Sequence, residues 1–166
     1  MGKLGRQGLY SLAQVSGVNL EKLNAGNIGF GLAPRLNAAG RLESAMAAFN
    51  LLTAQDVLTA GELAQQLDSQ NGERREIMAR IQETVLQNIL QSEEQPMIVF
   101  DASPDYNEGV VGLAASRITE ALYRPSIIGH RGEDVVVASC RSIPEFNITR
   151  ALDACADLLV RYGGHS

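Results

Sequence analysis

Met97-Ile98-Val99-Phe100, directly after Pro96, is a short unbroken apolar run. Such a run, opened by a proline, reads as a β-strand buried on both faces, and it marks the point where the hydrophobic period changes. From Gly109 to Tyr123 the period is helical, with Val110, Leu113, Ala114, Ile118 and Leu122 on one face and Asn107 available as the cap. Pro125-Ser126-Ile127-Ile128 gives a second strand, Arg131-Gly132-Glu133-Asp134 a turn, and Val135-Val136-Val137-Ala138 a third strand. Asn147 is placed to cap a last helix through Leu159, with Ala151, Leu152, Cys155 and Leu158 facing inward. Strand, helix, strand, strand, helix is an α/β order. The first strand pair is expected to be parallel and the second a hairpin, giving a mixed sheet.

Upstream, Thr53 followed by Asp56 fits a capping box, and Leu63, Leu67, Ile77, Ile81, Val85 and Ile89 recur near every fourth residue or its multiples. No proline intervenes before Pro96. A helix of roughly 35 residues, about 50 Å long, is predicted. Its middle turns carry Asp68, Gln70, Asn71, Glu73, Arg74 and Arg75, too polar for a buried core helix. Such a helix bridges two domains; the alternative is a solvated hairpin arm. Before it, Leu9, Leu12, Ala13 and Val15 form a helical face that Gly17 ends, and a short helix fits Leu20 to Leu23. Asn24 to Gly40 reads as a structured loop, and helix resumes from Leu42 to Leu52. The expected organisation is a helical segment 1–53, a connecting helix 54–92 and an α/β domain 93–166.

The 166 residues are 45% hydrophobic and 20% charged, the balance of a folded chain. A net charge of -5 argues against a wholly basic surface that coats nucleic acid, so an anionic partner must be met by local arginines. Only Lys3 and Lys22 are lysines. Cys140 and Cys155 are too few for a disulfide framework or a zinc ribbon, which fits a reducing compartment. No apolar run reaches the roughly 20 residues that span a bilayer, and a cytoplasmic monomer is the expectation.

Four stretches carry chemistry. Ser139-Cys140-Arg141-Ser142 places two hydroxyls and a guanidinium at a strand end, suited to phosphate; a solvated strand end is the bland alternative. Pro34-Arg35-Leu36-Asn37-Ala38-Ala39-Gly40-Arg41 could fold back so that Arg35, Arg41 and the Asn37 amide converge on one anion, or simply start a helix capped by Asn37. Gly163-Gly164-His165 follows a helix, so its glycines fit a C-cap, or else free the backbone to wrap an anion beside His165. Gly109-Val110-Val111-Gly112 opens a helix whose N-terminus could attract phosphate, but Gly112, Ala114 and Ala115 better suit helix-sheet packing and Arg117 a surface ion pair. A two-metal phosphodiesterase needs Asp and His ligands close together, and His130 and His165 are far apart with no Asp-rich cluster beside either.

In this order and spacing, the stretches resemble the RecJ-type exonucleases of the DHH/DHHA1 phosphoesterase superfamily. The resemblance covers nearly the whole chain and also includes Asn71-Gly72-Glu73-Arg74-Arg75, Arg124-Pro125 and Phe146-Asn147. It implies the tail of a DHH domain, a connecting helix and a DHHA1-like substrate-binding domain, truncated at its C-terminus. It further implies a parent enzyme that uses two Mn²⁺ or Mg²⁺ ions, held by an upstream DHH domain, to remove nucleotides from 5′ ends of single-stranded DNA in repair and recombination. The Asp-His-His metal motif is absent here, so the piece alone is expected to be inactive. By the same resemblance Ser139, Arg141, Ser142 and Gly164 grip a substrate phosphate, Asn37, Arg35 and Arg41 bind near the substrate groove, and His165 is the catalytic candidate, near the scissile phosphate. Asp105-Tyr106-Asn107-Glu108 departs from the family, where an aromatic-His pair commonly precedes the position of Gly109. A nano-RNase or cyclic-dinucleotide phosphodiesterase shares the domain plan, but the long helix argues against it. A non-catalytic module that docks nucleic acid or a partner is the third possibility.

Overall fold

The computed structural model describes residues 6–93 and 95–164. The chain divides into two compact units, the first ending at Glu76 and the second starting at Ile77.

The first unit contains α1 (Gln7–Ser16), a π-helical turn (Asn27–Leu32), α2 (Ala33–Leu42), α3 (Met46–Thr53) and the first part of α4 (Val57–Gln91). Its core joins Leu12 and Ala13 of α1, Leu32, Ala39 of α2, Leu51 of α3, and Ala60, Ala64 and Leu67 of α4. Gly17, at φ 69°, ends α1 in the left-handed conformation that glycine adopts without a Cβ penalty. The two helices α1 and α3 meet at Gly8, where a Cβ would lie 1.7 Å from the Leu51 carbonyl oxygen.

Residues 34–41, expected as a loop, are helical throughout. Pro34 sits in the first turn, where its missing N–H costs nothing, and Ala38 and Ala39 are fully buried. Burial of these good helix formers outweighs the local turn signals of Asn37 and Gly40. Asn37 lies inside α2 and does not cap it. The capping box also differs from expectation. Asp56 Oδ1 accepts from the Thr59 N–H at 2.8 Å, whereas the Thr53 hydroxyl donates back to the Phe49 carbonyl at 2.9 Å, because α3 runs on to Thr53.

Helix α4 is 35 residues long. Its polar middle is partly buried: Gln70 and Asn71 are 8% and 4% exposed. Gln70 Nε2 donates to Glu43 at 2.9 Å, and Arg74 donates to the Asn71 side-chain oxygen at 2.9 Å.

In the second unit a three-stranded sheet has the order β1 (Val99–Ser103), β2 (Ser126–Arg131), β3 (Val136–Arg141). The pair β1 and β2 is parallel and β2 with β3 antiparallel, the mixed sheet the sequence predicts. Helix α5 (Glu108–Leu122) packs on β2 and β3 and buries Val110, Ala114, Ala115 and Ile118. Asn107 caps it by accepting from the Gly109 N–H at 2.9 Å. The first strand is not buried on both faces: Val99 and Ala102 are buried, while Phe100 is 64% exposed. Gly129 of β2 faces Val136 and Ala138, whose side chains a Cβ would meet at 2.7 and 3.0 Å. Even-numbered residues of β3 therefore share the Gly129 side, and odd-numbered ones face α5.

Asn147 caps the last helix, α6 (Ile148–Ala154), by accepting from the Arg150 N–H at 3.0 Å. The helix stops five residues before the expected Leu159, giving way to a 3₁₀ turn, Ala156–Leu158. Cys155 and Leu158 are exposed rather than inward-facing.

Candidate phosphate site on the edge strand

Arg141 ends β3, one of the two outer strands of the described sheet, opposite Ser126, the first residue of β2. Because β3 is antiparallel, its end lies at the rim where β1 and β2 begin. Ligands of open parallel sheets usually gather at the other rim, so the sheet rule alone does not place this site. Helix α5 does.

Ser139 and Arg141 point toward α5 at Gly112 and Ser116, one turn apart and hence on one helix face. Arg141 Nε donates to the Ser116 hydroxyl at 2.9 Å, and Nη1 donates to the Cys140 carbonyl at 2.7 Å. The remaining nitrogen, Nη2, lies 3.4 Å from where a Gly112 Cβ would stand, and Ser139 Oγ lies 3.1 Å from the same point. A guanidinium edge and a hydroxyl thus lie side by side against the bare backbone of Gly112, a close approach that is possible because position 112 carries no side chain. A donor set of this kind binds tetrahedral oxyanions through charge-assisted hydrogen bonds.

The other expected site residues are placed differently. Ser142 donates its hydroxyl to the Phe146 carbonyl and so holds the turn after β3. Arg35 donates to Asp68 at 2.7 Å and to the Gly31 carbonyl at 2.7 Å, which makes it a brace between α2 and α4 within the first unit. Arg35 and Arg41, six residues apart on α2, point roughly 120° from each other around its axis, so they do not converge. Instead Arg41 lies near Arg74: the Arg74 guanidinium pKa is lowered by burial first, then by the charges of Arg41 and Arg75. Sequence reasoning does not single out this cationic group. Gly164 is exposed and follows α6 by ten residues, so the glycine pair does not cap that helix. His165 lies outside the described residues. Arg117 pairs with Glu120 at 3.2 Å on the exposed side of α5, as a surface ion pair.

A second polar group steadies the approach to α5. Asn88 donates to Asp101 Oδ2 at 2.9 Å, and the Tyr106 hydroxyl donates to the same carboxylate. The Tyr106 carbonyl lies 2.9 Å from His130 Nδ1. Burial, then the Asp101 charge and hydrogen bond, push the Tyr106 phenol from 10.0 up to about 12. A pKa raised in the folded state means that the fold favours the neutral phenol. This stabilisation is complete below pH 10 and is lost as pH rises from 10.0 to about 12. Tyr106→Phe is expected to flatten that alkaline fall relative to the unsubstituted protein when thermal unfolding is followed from about pH 9 to about 12.

Among the described residues no group of three or more His, Cys, Asp or Glu side chains is placed to hold a metal ion. No described helix is long and apolar enough to cross a membrane.

No protein-family model matches the chain. Individual proteins do. A single-stranded-DNA-specific exonuclease RecJ from Bacillus subtilis is 36% identical over 165 residues, covering 98% of this chain and 21% of that protein. The RecJ of Dickeya dadantii is 38% identical over 170 residues, covering 97% and 30%. Among solved structures, RecJ from Thermus thermophilus in complex with Mg²⁺ superposes with a TM-score of 0.82 at 32% identity, over 96% of this chain and 24% of that one. An exonuclease RecJ bound to manganese gives 0.80 at 32%, over 97% and 39%. The chain therefore spans between about a fifth and two-fifths of the length of these relatives. The helical segments and the mixed-sheet domain carrying Ser139 and Arg141 are those of the RecJ family of the DHH/DHHA1 superfamily, to which this chain belongs, matching a part of its longer members.

Proposed function

We propose that this chain is the substrate-gripping part of a longer metal-dependent 5′-to-3′ exonuclease specific for single-stranded DNA and acting in repair and recombination. In this role Ser139 and Arg141 hold the 5′-terminal phosphate of the strand. The observation that carries the proposal is that Arg141 Nη2 and Ser139 Oγ are brought together against Gly112. The names of the relatives supply the substrate class.

A terminal phosphate carries more charge than an internal diester, so a fixed guanidinium beside a hydroxyl favours a phosphorylated end over a hydroxyl end. Anchoring the end fixes how far the strand reaches toward the reacting bond, which is a positioning contribution. Relatives are known with Mg²⁺ and with manganese, but the described residues offer no ligand set for either. Binding and orientation are therefore the whole of what is assigned to this chain, and alone it is expected to be inactive.

The test is binding of 3′-labelled oligodeoxynucleotides bearing a 5′-phosphate or a 5′-hydroxyl to the intact protein, measured by fluorescence anisotropy with chelator present. Arg141→Ala is expected to weaken binding of the phosphorylated strand about 10- to 100-fold, the loss of a charge-assisted contact, and to erase the preference for it. An undiminished preference in that variant would rule out the phosphate role of Arg141.

A further inference from the structure

We infer that Ser116 of α5 is a positioning residue: it sets the plane of the Arg141 guanidinium and thereby the preference for a phosphorylated strand end. This inference rests on the phosphate role proposed for Arg141.

A guanidinium has donors and no acceptor, so in the 2.9 Å contact the Ser116 oxygen must accept from Arg141 Nε. The serine proton is then free to donate, and it does so to the Gly112 carbonyl at 3.1 Å. The direction of the relay is fixed, from Arg141 Nε–H to the Ser116 hydroxyl to the backbone of α5. Each bond polarises the next in the same sense.

The contact also explains why the rest of the guanidinium points where it does. With Nε held by Ser116 and Nη1 by the Cys140 carbonyl, Nη2 is left over Gly112 beside Ser139 Oγ. An arginine side chain has many rotamers, and an exposed one samples them. Two anchors on two different elements reduce that freedom before ligand arrives, which is preorganisation. A serine in mid-helix that bonds back to its i−4 carbonyl offers the helix itself little, so the bond to Arg141 is the reason for a hydroxyl at this position.

The experiment uses the intact protein and the same pair of labelled strands. Ser116→Ala is expected to lower the ratio of affinities, phosphorylated over hydroxyl, by about tenfold, and Ser116→Thr, which keeps the hydroxyl, to restore most of it. In the Arg141→Ala background, Ser116→Ala is expected to change the ratio no further, because the two residues act as one unit. A residue that merely supports the fold would instead lower affinity for both strands alike and add its effect to that of Arg141→Ala. If Ser116→Ala keeps the ratio while Arg141→Ala loses it, the inference is overturned and the phosphate role stands. If Arg141→Ala keeps the ratio, the phosphate role fails, and the inference with it. Should Ser116→Ala fold poorly, Ser116→Cys, of similar size but with a thiol that accepts only weakly, carries the same comparison. It is expected to lower the ratio alone and to change it no further in the Arg141→Ala background, and an unchanged ratio in the single variant would overturn the inference.

Discussion

Gly8→Ala is expected to lower the melting temperature by more than about 10 °C, through a cost at or above the roughly 3 kcal/mol upper end usual for overpacking. The added Cβ would stand 1.7 Å from the Leu51 carbonyl oxygen and 2.7 Å from its carbon. These are backbone atoms of α3, and Leu51 is fully buried, so no flexible side chain can swing aside. Helix α1 must move off α3, opening the contact that buries Leu12 and Ala13. The gain in helix propensity from glycine to alanine, about 1 kcal/mol, is too small to offset this. Gly61 provides the control: it lies inside α4 with nothing within 4 Å of an added Cβ. There the same substitution is expected to stabilise by about 1 kcal/mol. Denaturant unfolding of the two variants should give shifts of opposite sign. Equal shifts would mean that α1 does not approach α3 as described.

Gly112→Ala separates folding from ligand binding. Its Cβ would meet Ser139 Oγ at 3.1 Å and Arg141 Nη2 at 3.4 Å, both side-chain atoms that can turn away. Crowding of this kind costs little, and better helix propensity offsets it, so the melting temperature is expected to stay within a few degrees. The two donors, however, are pushed apart from where they meet over Gly112. Affinity for the 5′-phosphorylated strand should fall about 10- to 100-fold, as for Arg141→Ala, although every donor is still present. Retained affinity in a well-folded Gly112→Ala protein would show that phosphate is held elsewhere.

How much of the fold is legible in the sequence depends on the range of the interactions involved. The change of period after Pro96 is enough for the mixed sheet, because strand and helix patterns are local. Asn107 and Asn147 are legible as caps for the same reason. Residues 34–41 read wrongly as a loop, since the turn character of Asn37 and Gly40 is local whereas the burial of Ala38 and Ala39 is tertiary. Arg35 reads as a substrate ligand because its partner, Asp68, is 33 residues away in the sequence. The inward face expected for Cys155 and Leu158 supposes a helix that in fact ends at Ala154.

At the candidate site, the strand half is visible in the sequence and the helix half is not. Ser139 and Arg141 announce themselves by residue type. Gly112 and Ser116 sit in a run of small residues that reads as packing, and most of it is packing: Ala114 and Ala115 are fully buried. Their spacing of four is the available signal, since it puts a missing side chain and a hydroxyl on one face. Only the partner strand reveals what that face meets.

The close approach at Gly129, on the side of the sheet away from α5, has a consequence for binding although it touches no binding residue. Side chains alternate along β3, so the site is written in parity: 139 and 141 are odd. A slip of β3 against β2 by one residue would turn both away from α5 and present Cys140 in their place. The present register brings Val136 and Ala138 so close over position 129 that a side chain there would collide with them, so this register requires glycine at 129. A residue that never meets the ligand is thus a condition of the parity that faces it.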